Sequence, residues 1–309
     1  MRAWLPYDSL EAAEARVGRH DGVEITLLND LAGLASTAGE VAFVALPNYE
    51  AERVWDELQD LDKPALQVVQ LGSAGYEHML GLVGDSVSIA NAAGVHDAGT
   101  AELAVALALA NLRGLDTYAR LQQTHTWSPS IGHSLADRNV LIYGYGHIGA
   151  AVERRLAGFD PAAVVRVARS ARTEPEVHAA SDLHSLLPGA DVVFITAPAT
   201  PDTVGAFDAA TLSLLPDGAL VVNVGRGRIM ETDAILAEAG RLRFALDVME
   251  PEPLPAESPL WDAPGVTIAP HVGGANDSVP VRYDRLIATQ LSHLAAGERY
   301  DNIVWGPLS

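Results

Sequence analysis

The chain has 309 residues, 49% of them hydrophobic and 19% charged, which fits folded domains with sizeable cores. At about 100–200 residues per domain, two domains are expected. Its 20 basic and 40 acidic residues give a formal net charge of −20, which disfavours nucleic acid and anionic membrane as partners. The absence of cysteine removes disulfides, thiolate nucleophiles and cysteine-held metals, and a single lysine, Lys63, leaves little scope for Schiff-base chemistry.

The N-terminal run meets Pro6 and Asp8 before any long apolar stretch, so no targeting segment is expected and the cytoplasm is the expected location. The most apolar stretch, residues 103–112, is about half the length of a bilayer span. Apolar runs at 23–28, 41–46, 66–71 and 87–90 predict buried strands, with a helix over 50–61. Strands alternating with helix-length segments predict right-handed βαβ units and a parallel sheet. Residues 100–110 form a helix pattern with almost no polar face, which predicts burial. Its plain role is core, with a share in a subunit interface as the alternative. The polar residues 122–138 read as an exposed arm or linker. A second series then begins, with strands predicted at 140–143, 164–168, 192–196, 219–224, 242–248 and 266–269, and a helix at 148–157. After Pro280 an amphipathic helix carries Leu286, Ile287, Leu291 and Leu294.

Gly144-Tyr145-Gly146-His147-Ile148-Gly149 directly follows the strand at 140–143 and opens a helix. In such a G-x-G-x-x-G turn the first glycine allows the bend, the second lets a pyrophosphate approach the backbone, and the third packs helix on strand. Free amides at the helix N-terminus receive the anion. Twenty residues past the last glycine, where an acid would hold an NAD ribose, stand Arg169, Ser170 and Arg172. Guanidinium groups there suit the 2′-phosphate of NADP, so NADP(H) is the preferred cofactor and NAD(H) the alternative. An exposed basic turn is the plainer reading of the same residues.

Several ordered motifs together resemble the D-isomer-specific 2-hydroxyacid dehydrogenases. Asn223-Val224-Gly225-Arg226-Gly227 is similar to that family's arginine motif. The run 245–254, Ala-Leu-Asp-Val-Met-Glu-Pro-Glu-Pro-Leu, is similar to its second motif, with Met249 where an aromatic is commoner. Ala269-Pro270-His271-Val272-Gly273-Gly274 is similar to its histidine motif, and Pro198-Ala199-Thr200-Pro201-Asp202-Thr203 fits a cofactor-domain loop. The resemblance implies an α/β fold class: two Rossmann-like or flavodoxin-like domains with parallel sheets. The NAD(P)-binding domain, residues 94–280, would be inserted in a substrate domain made of 1–93 and 281–309. It also implies cofactor contacts from Ala197, Pro198, Thr203, Val224, Gly225, Asp247 and Gly274, and a homodimer formed through the cofactor domain.

Reduction of a 2-oxo acid needs a cation for the carboxylate, a proton donor for the carbonyl oxygen and a hydride source. Arg226 offers a fixed fork for the carboxylate that can also polarise the carbonyl. His271 is suited to act as general acid and base, and Glu252, accepting from its other ring nitrogen, would favour the charged imidazole. Taken singly, each residue also has a plainer reading: a surface arginine, a solvated acid, a packed histidine. The remaining histidines show no ligand pairing, so no metal site is expected.

By the same resemblance, the loop Leu71-Gly72-Ser73-Ala74-Gly75-Tyr76-Glu77 would present the amides of Ala74 and Gly75 to the substrate carboxylate. It departs from the family pattern at Tyr76-Glu77, where a small apolar residue and Asp are usual. The expected function is NADP(H)-dependent reduction of a small 2-oxo acid of the glyoxylate or hydroxypyruvate type. The alternatives are phosphoglycerate oxidation and a non-catalytic, dinucleotide-sensing binding protein.

Overall fold

In a computed structural model describing residues 1–309, the alternating apolar runs become two separate sheets, each clothed by helices. One compact unit consists of Met1–His96 and Asp277–Ser309, the other of Asp97–Asn276. The first begins with β1 (Arg2–Leu5), β2 (Glu24–Leu27), β3 (Val41–Ala45), β4 (Val68–Gln70) and β5 (Ser88–Ala90). The second holds β6 (Asn139–Tyr143), β7 (Ala163–Ala168), β8 (Arg172–Thr173), β9 (Glu176–Ala179), β10 (Val192–Ile195), β11 (Leu220–Asn223), β12 (Arg243–Leu246) and β13 (Val266–Ile268). The chain then returns to the first unit and adds β14 (Ile303–Trp305). No helix is long and apolar enough to cross a membrane.

In the first unit the strand order is β14-β5-β4-β3-β1-β2, parallel except for β14 against β5. β3 reads Val-Ala-Phe-Val-Ala and is buried throughout, as an inner strand covered on both faces must be. Successive side chains alternate sides. Phe43 joins a cluster with Tyr283, Ile287 and Leu291, whereas Val44 joins one with Trp55 and Leu58. The helix Ser278–Ala296 buries Val279, Tyr283, Ile287, Leu291 and Leu294, a stripe at helical spacing.

β1 and the helices Leu10–Val17 and Leu31–Thr37 were not expected. β1 opens on a charge, which Glu24, Glu40 and the Thr26 hydroxyl satisfy by bonding to the Arg2 guanidinium. The helix expected at 50–61 is shorter, Ala51–Leu58. Lys63 Nζ donates to the carbonyls of Leu58 and Leu61, so the sole lysine closes that helix end.

The second unit has the order β13-β12-β11-β10-β6-β7-β9-β8, parallel from β13 to β9. The helices Asp97–Arg113 and His147–Leu156 cover one face, packing Ala104, Ala108 and Val152 on Ile142, Phe194 and Val222. Shorter helices supply Leu183, Leu212 and Ile235 to the other face. The all-apolar pattern at 100–110 is thus explained within its own unit, as core. The β8–β9 hairpin, short and largely exposed, was not expected. The arm at 122–138 is exposed along most of its length, with Trp127 at 96% and Ile131 at 102%.

Candidate functional site

Arg226 follows β11, Asp247 and Glu252 follow β12, and His271 follows β13, three strands that lie side by side. Because these strands are parallel, their carboxyl ends share one edge of the sheet. The glycine turn follows β6, which pairs with β7 on one side and β10 on the other. That is the strand-order reversal where open α/β sheets form their ligand crevices.

His271 Nδ1 lies 2.7 Å from Glu252 Oε2. Facing a carboxylate, Nδ1 carries a proton, which leaves Nε2 as the nitrogen available for exchange. Glu252 is itself fixed, since Oε1 accepts from the Met249 amide at 2.9 Å. The His271 backbone has φ 53, a left-handed conformation unusual for a non-glycine residue. It is held there by its amide, which donates to Asp247 O at 2.8 Å.

Asp247 does more. Its carboxylate, in a residue only 2% exposed, accepts from the amides of Val272 (2.7 Å) and Gly273 (2.9 Å). Burial pushes this carboxyl above the usual range, and the two amides oppose that shift. Asp247 therefore braces the histidine loop.

Arg226 extends from a loop pinned by Asn223, which accepts from Gly225 N and donates to Arg226 O. A side chain at Gly227 would place its Cβ 2.0 Å from Met249 O, so this glycine is what lets the arginine loop lie against the loop carrying Glu252. The Arg226 guanidinium donates to Gly225 O at 2.8 Å and has no carboxylate partner. Half-buried and unpaired, it is available to an incoming acid.

The groove beside the glycine turn encloses about 310 Å³. Gly144, Tyr145, Gly146, Arg169, Ala197, Pro198 and Thr203, all read from the sequence as cofactor contacts, line it; so do Thr196 and Asp202, which that reading did not include. A Cβ on Gly144 would lie 2.3 Å from Ala197 N, and one on Gly149 2.8 Å from Gly144 O. Gly146 instead faces open space, and the helix it begins has no side-chain cap. Open space at the second glycine and uncapped amides in the first helical turn fit a pyrophosphate.

Arg169 lines the groove without a hydrogen bond or ion pair of its own. Arg172 is engaged: Nη2 donates to Tyr145 O at 2.6 Å and the guanidinium lies 5.7 Å from the Tyr145 ring centre. Arg166 also lies over that ring, at 5.6 Å, while binding Glu153, which accepts the Tyr145 hydroxyl. These hydrogen bonds from Arg166 hold the Glu153 carboxyl below its usual range.

The other expected cofactor contacts lie outside the groove itself. His147 reaches Asp97, Ile148 begins the helix with Gly149 behind it, Ser170 is exposed, and Val224, Gly225 and Gly274 flank the arginine and histidine loops. The Thr203 hydroxyl is used within its own loop, accepting from Thr200 N and donating to Pro198 O. In the first unit, Ala74 and Gly75 follow β4, and neither amide has an acceptor within the protein.

A doubly wound α/β sheet with a glycine-rich turn at its strand-order reversal, and a histidine–glutamate pair and an arginine without an acidic partner along one edge, is the architecture of nicotinamide-dependent oxidoreductases. The D-isomer specific 2-hydroxyacid dehydrogenase NAD-binding domain matches residues 105–273, and the chain belongs to that family. It is 30% identical over 238 residues to glycerate dehydrogenase of Hyphomicrobium methylovorum, covering 72% of this chain and 74% of that one. Against glyoxylate/hydroxypyruvate reductase A of an Enterobacter species it is 35% identical over 206 residues, 64% of each. Among solved structures, it resembles the NADPH-dependent glyoxylate/hydroxypyruvate reductase of Sinorhizobium meliloti in complex with NADP and sulfate. The TM-score is 0.78 at 27% identity, over 98% of both chains.

Proposed function

We propose that the protein reduces a small 2-oxo acid of the glyoxylate or hydroxypyruvate type with NADPH in preference to NADH, as a cytoplasmic homodimer. The unit Asp97–Asn276 is the cofactor domain in this reading, and Met1–His96 with Asp277–Ser309 the substrate domain. Glycerate dehydrogenase and hydroxypyruvate reductase name one interconversion in its two directions, so the two curated relatives support the same substrate pair.

Arg226 binds the substrate carboxylate and polarises the carbonyl; in the first unit, the amides of Ala74 and Gly75 are donors suited to a carboxylate. A bound reduced nicotinamide supplies the hydride that C2 accepts. His271 gives its Nε2 proton to the carbonyl oxygen as the C=O bond becomes a C–OH bond, and keeps its Nδ1–H, which donates to Glu252. Its side chain is 53% exposed, so solvent can restore the proton. The uncapped amides at 147–149 would receive the pyrophosphate, Asp247 and Gly274 would contact the nicotinamide, and Arg169, helped by Ser170 and Arg172, would receive the 2′-phosphate.

The observation that carries this reading is the Glu252–His271 pair, set one and two strands along from an arginine with no acidic partner. The test is a panel of 2-oxo acids offered with NADPH and with NADH, followed at the nicotinamide absorbance. Turnover of glyoxylate or hydroxypyruvate with a lower KM for NADPH is expected. Tight cofactor binding without turnover of any acid would overturn it in favour of a sensor. Dimerisation is supported by the bare Trp127 and Ile131, and light scattering should give twice the 32.6 kDa chain mass. A mass of one chain at micromolar concentration would refute it.

A further inference from the structure

In the first unit, β4 and β5 are parallel neighbours, and the segments leaving their carboxyl ends, 71–75 and 91–96, run together. All four carbonyls from Gly72 to Gly75 are bound by donors of this same unit. Gly72 O accepts from His96 Nε2 at 2.7 Å, Ser73 O from Ala92 N at 2.8 Å, Ala74 O from Asn91 Nδ2 at 2.8 Å, and Gly75 O from Ser73 Oγ at 2.7 Å.

A trans peptide points its carbonyl and the following N–H in opposite directions. Binding Gly72 O, Ser73 O and Ala74 O to the 91–96 segment therefore turns the amides of Ser73, Ala74 and Gly75 away from it. None of the three amides has an acceptor within the protein. Successive free N–H groups of this kind form an anion-binding concavity.

The anchors are themselves fixed. Gln70 Nε2 donates to Leu71 O and Asn91 O, both at 2.9 Å, and its Oε1 accepts from Gln290 at 2.8 Å. A Cβ at Gly72 would lie 2.4 Å from Asn48 Cα, so the loop is closed in on that side too. His96 is only 8% exposed, and using Nε2 as donor leaves its Nδ1 buried without a partner. An apolar side chain would avoid that cost, so what the imidazole contributes here is the one N–H on Gly72 O.

We propose that His96 and Asn91 are positioning residues for the substrate carboxylate: by holding the carbonyls of Gly72 and Ala74 they aim the Ser73 and Gly75 amides, with Ala74 between them, at the acid. This rests on the reading of the 73–75 amides as carboxylate donors and adds Ser73 to the set.

The experiment compares Asn91→Ala, His96→Phe and His96→Gln with Gly75→Pro, which deletes one amide, in the full chain. KM and kcat for the 2-oxo acid and the dissociation constant for NADPH are measured for each. Asn91→Ala and His96→Phe should raise KM about tenfold, the scale of one lost hydrogen bond, with kcat and NADPH affinity little changed. His96→Gln, which restores a donor, should recover most of the loss. A rise in KM for Gly75→Pro alone would overturn the anchoring role and leave the carboxylate reading standing. An unchanged KM in Gly75→Pro would remove that reading and the anchoring role with it. Equal losses in His96→Phe and His96→Gln, or loss of NADPH binding in the anchor variants, would mean that these residues only hold the fold, which also overturns the proposal.

Discussion

Glu252 Oε2 and His271 Nδ1 meet at 2.7 Å across a separation of 19 residues, and Met249 N holds the other carboxylate oxygen. The carboxylate fixes which ring nitrogen is bound and which is left to exchange protons. His271→Gln should therefore lose most turnover, about 10²–10⁴-fold, with the NADPH dissociation constant unchanged. Stopped-flow reduction beside equilibrium binding checks both halves, and near wild-type rates would remove His271 from the mechanism.

Asp247 should matter for stability and turnover together. Asp247→Asn presents an NH₂ group to one of two buried amides, Val272 or Gly273, at a cost of about 1–3 kcal/mol. Thermal unfolding should show a lower midpoint, and kcat should fall because the His271 loop is no longer braced. A variant with wild-type melting and wild-type kcat would contradict this.

The Glu153–Arg166 pair predicts a pH dependence. Hydrogen bonds from Arg166 hold the folded carboxyl below its ordinary 4.5, so the folded chain keeps it ionised where the unfolded chain takes up a proton. Its stabilisation is thus fully present above about 4.5 and is lost as pH falls through the lowered value. The gap in melting temperature between wild type and Glu153→Gln should be constant near neutrality and close in acid. A gap that persists at the lowest pH at which both fold would rule this out.

Cofactor preference should rest on Arg169, the unpaired guanidinium of the groove. On the proposed reading, Arg169→Asp should remove a charge-assisted contact worth about 1.5–3 kcal/mol and repel the 2′-phosphate. The KM ratio of NADPH to NADH should collapse or invert while kcat changes less. Added salt should weaken NADPH binding more than NADH binding. Equal use of both cofactors by wild type and variant would end the NADP reading.

The glycine turn and the arginine, second and histidine motifs were readable in the sequence because each is a short local run following a strand. What could not be read depends on neighbours in space. The Asp247 carboxylate reaches Val272 and Gly273 only because β12 and β13 lie side by side. The Tyr145–Glu153–Arg166 link joins a turn, a helix and β7, and Arg172 is tied to Tyr145 O, neither of which spacing reveals. β1 was hidden by its length and by Arg2, a charge made tolerable by partners 22 and 38 residues away. The anchoring of 72–75 likewise depends on the pairing of β4 with β5.

The most direct test of the central claim follows the transferred atom. NADPH deuterated at the reactive position of the nicotinamide is incubated with glyoxylate or hydroxypyruvate, and the product is examined by mass spectrometry. Wild-type protein should give a 2-hydroxy acid carrying one deuterium at C2, and His271→Gln and Arg226→Ala almost none although both still bind NADPH. Bound cofactor with no deuterated product from any 2-oxo acid, or undiminished transfer in either variant, would contradict it.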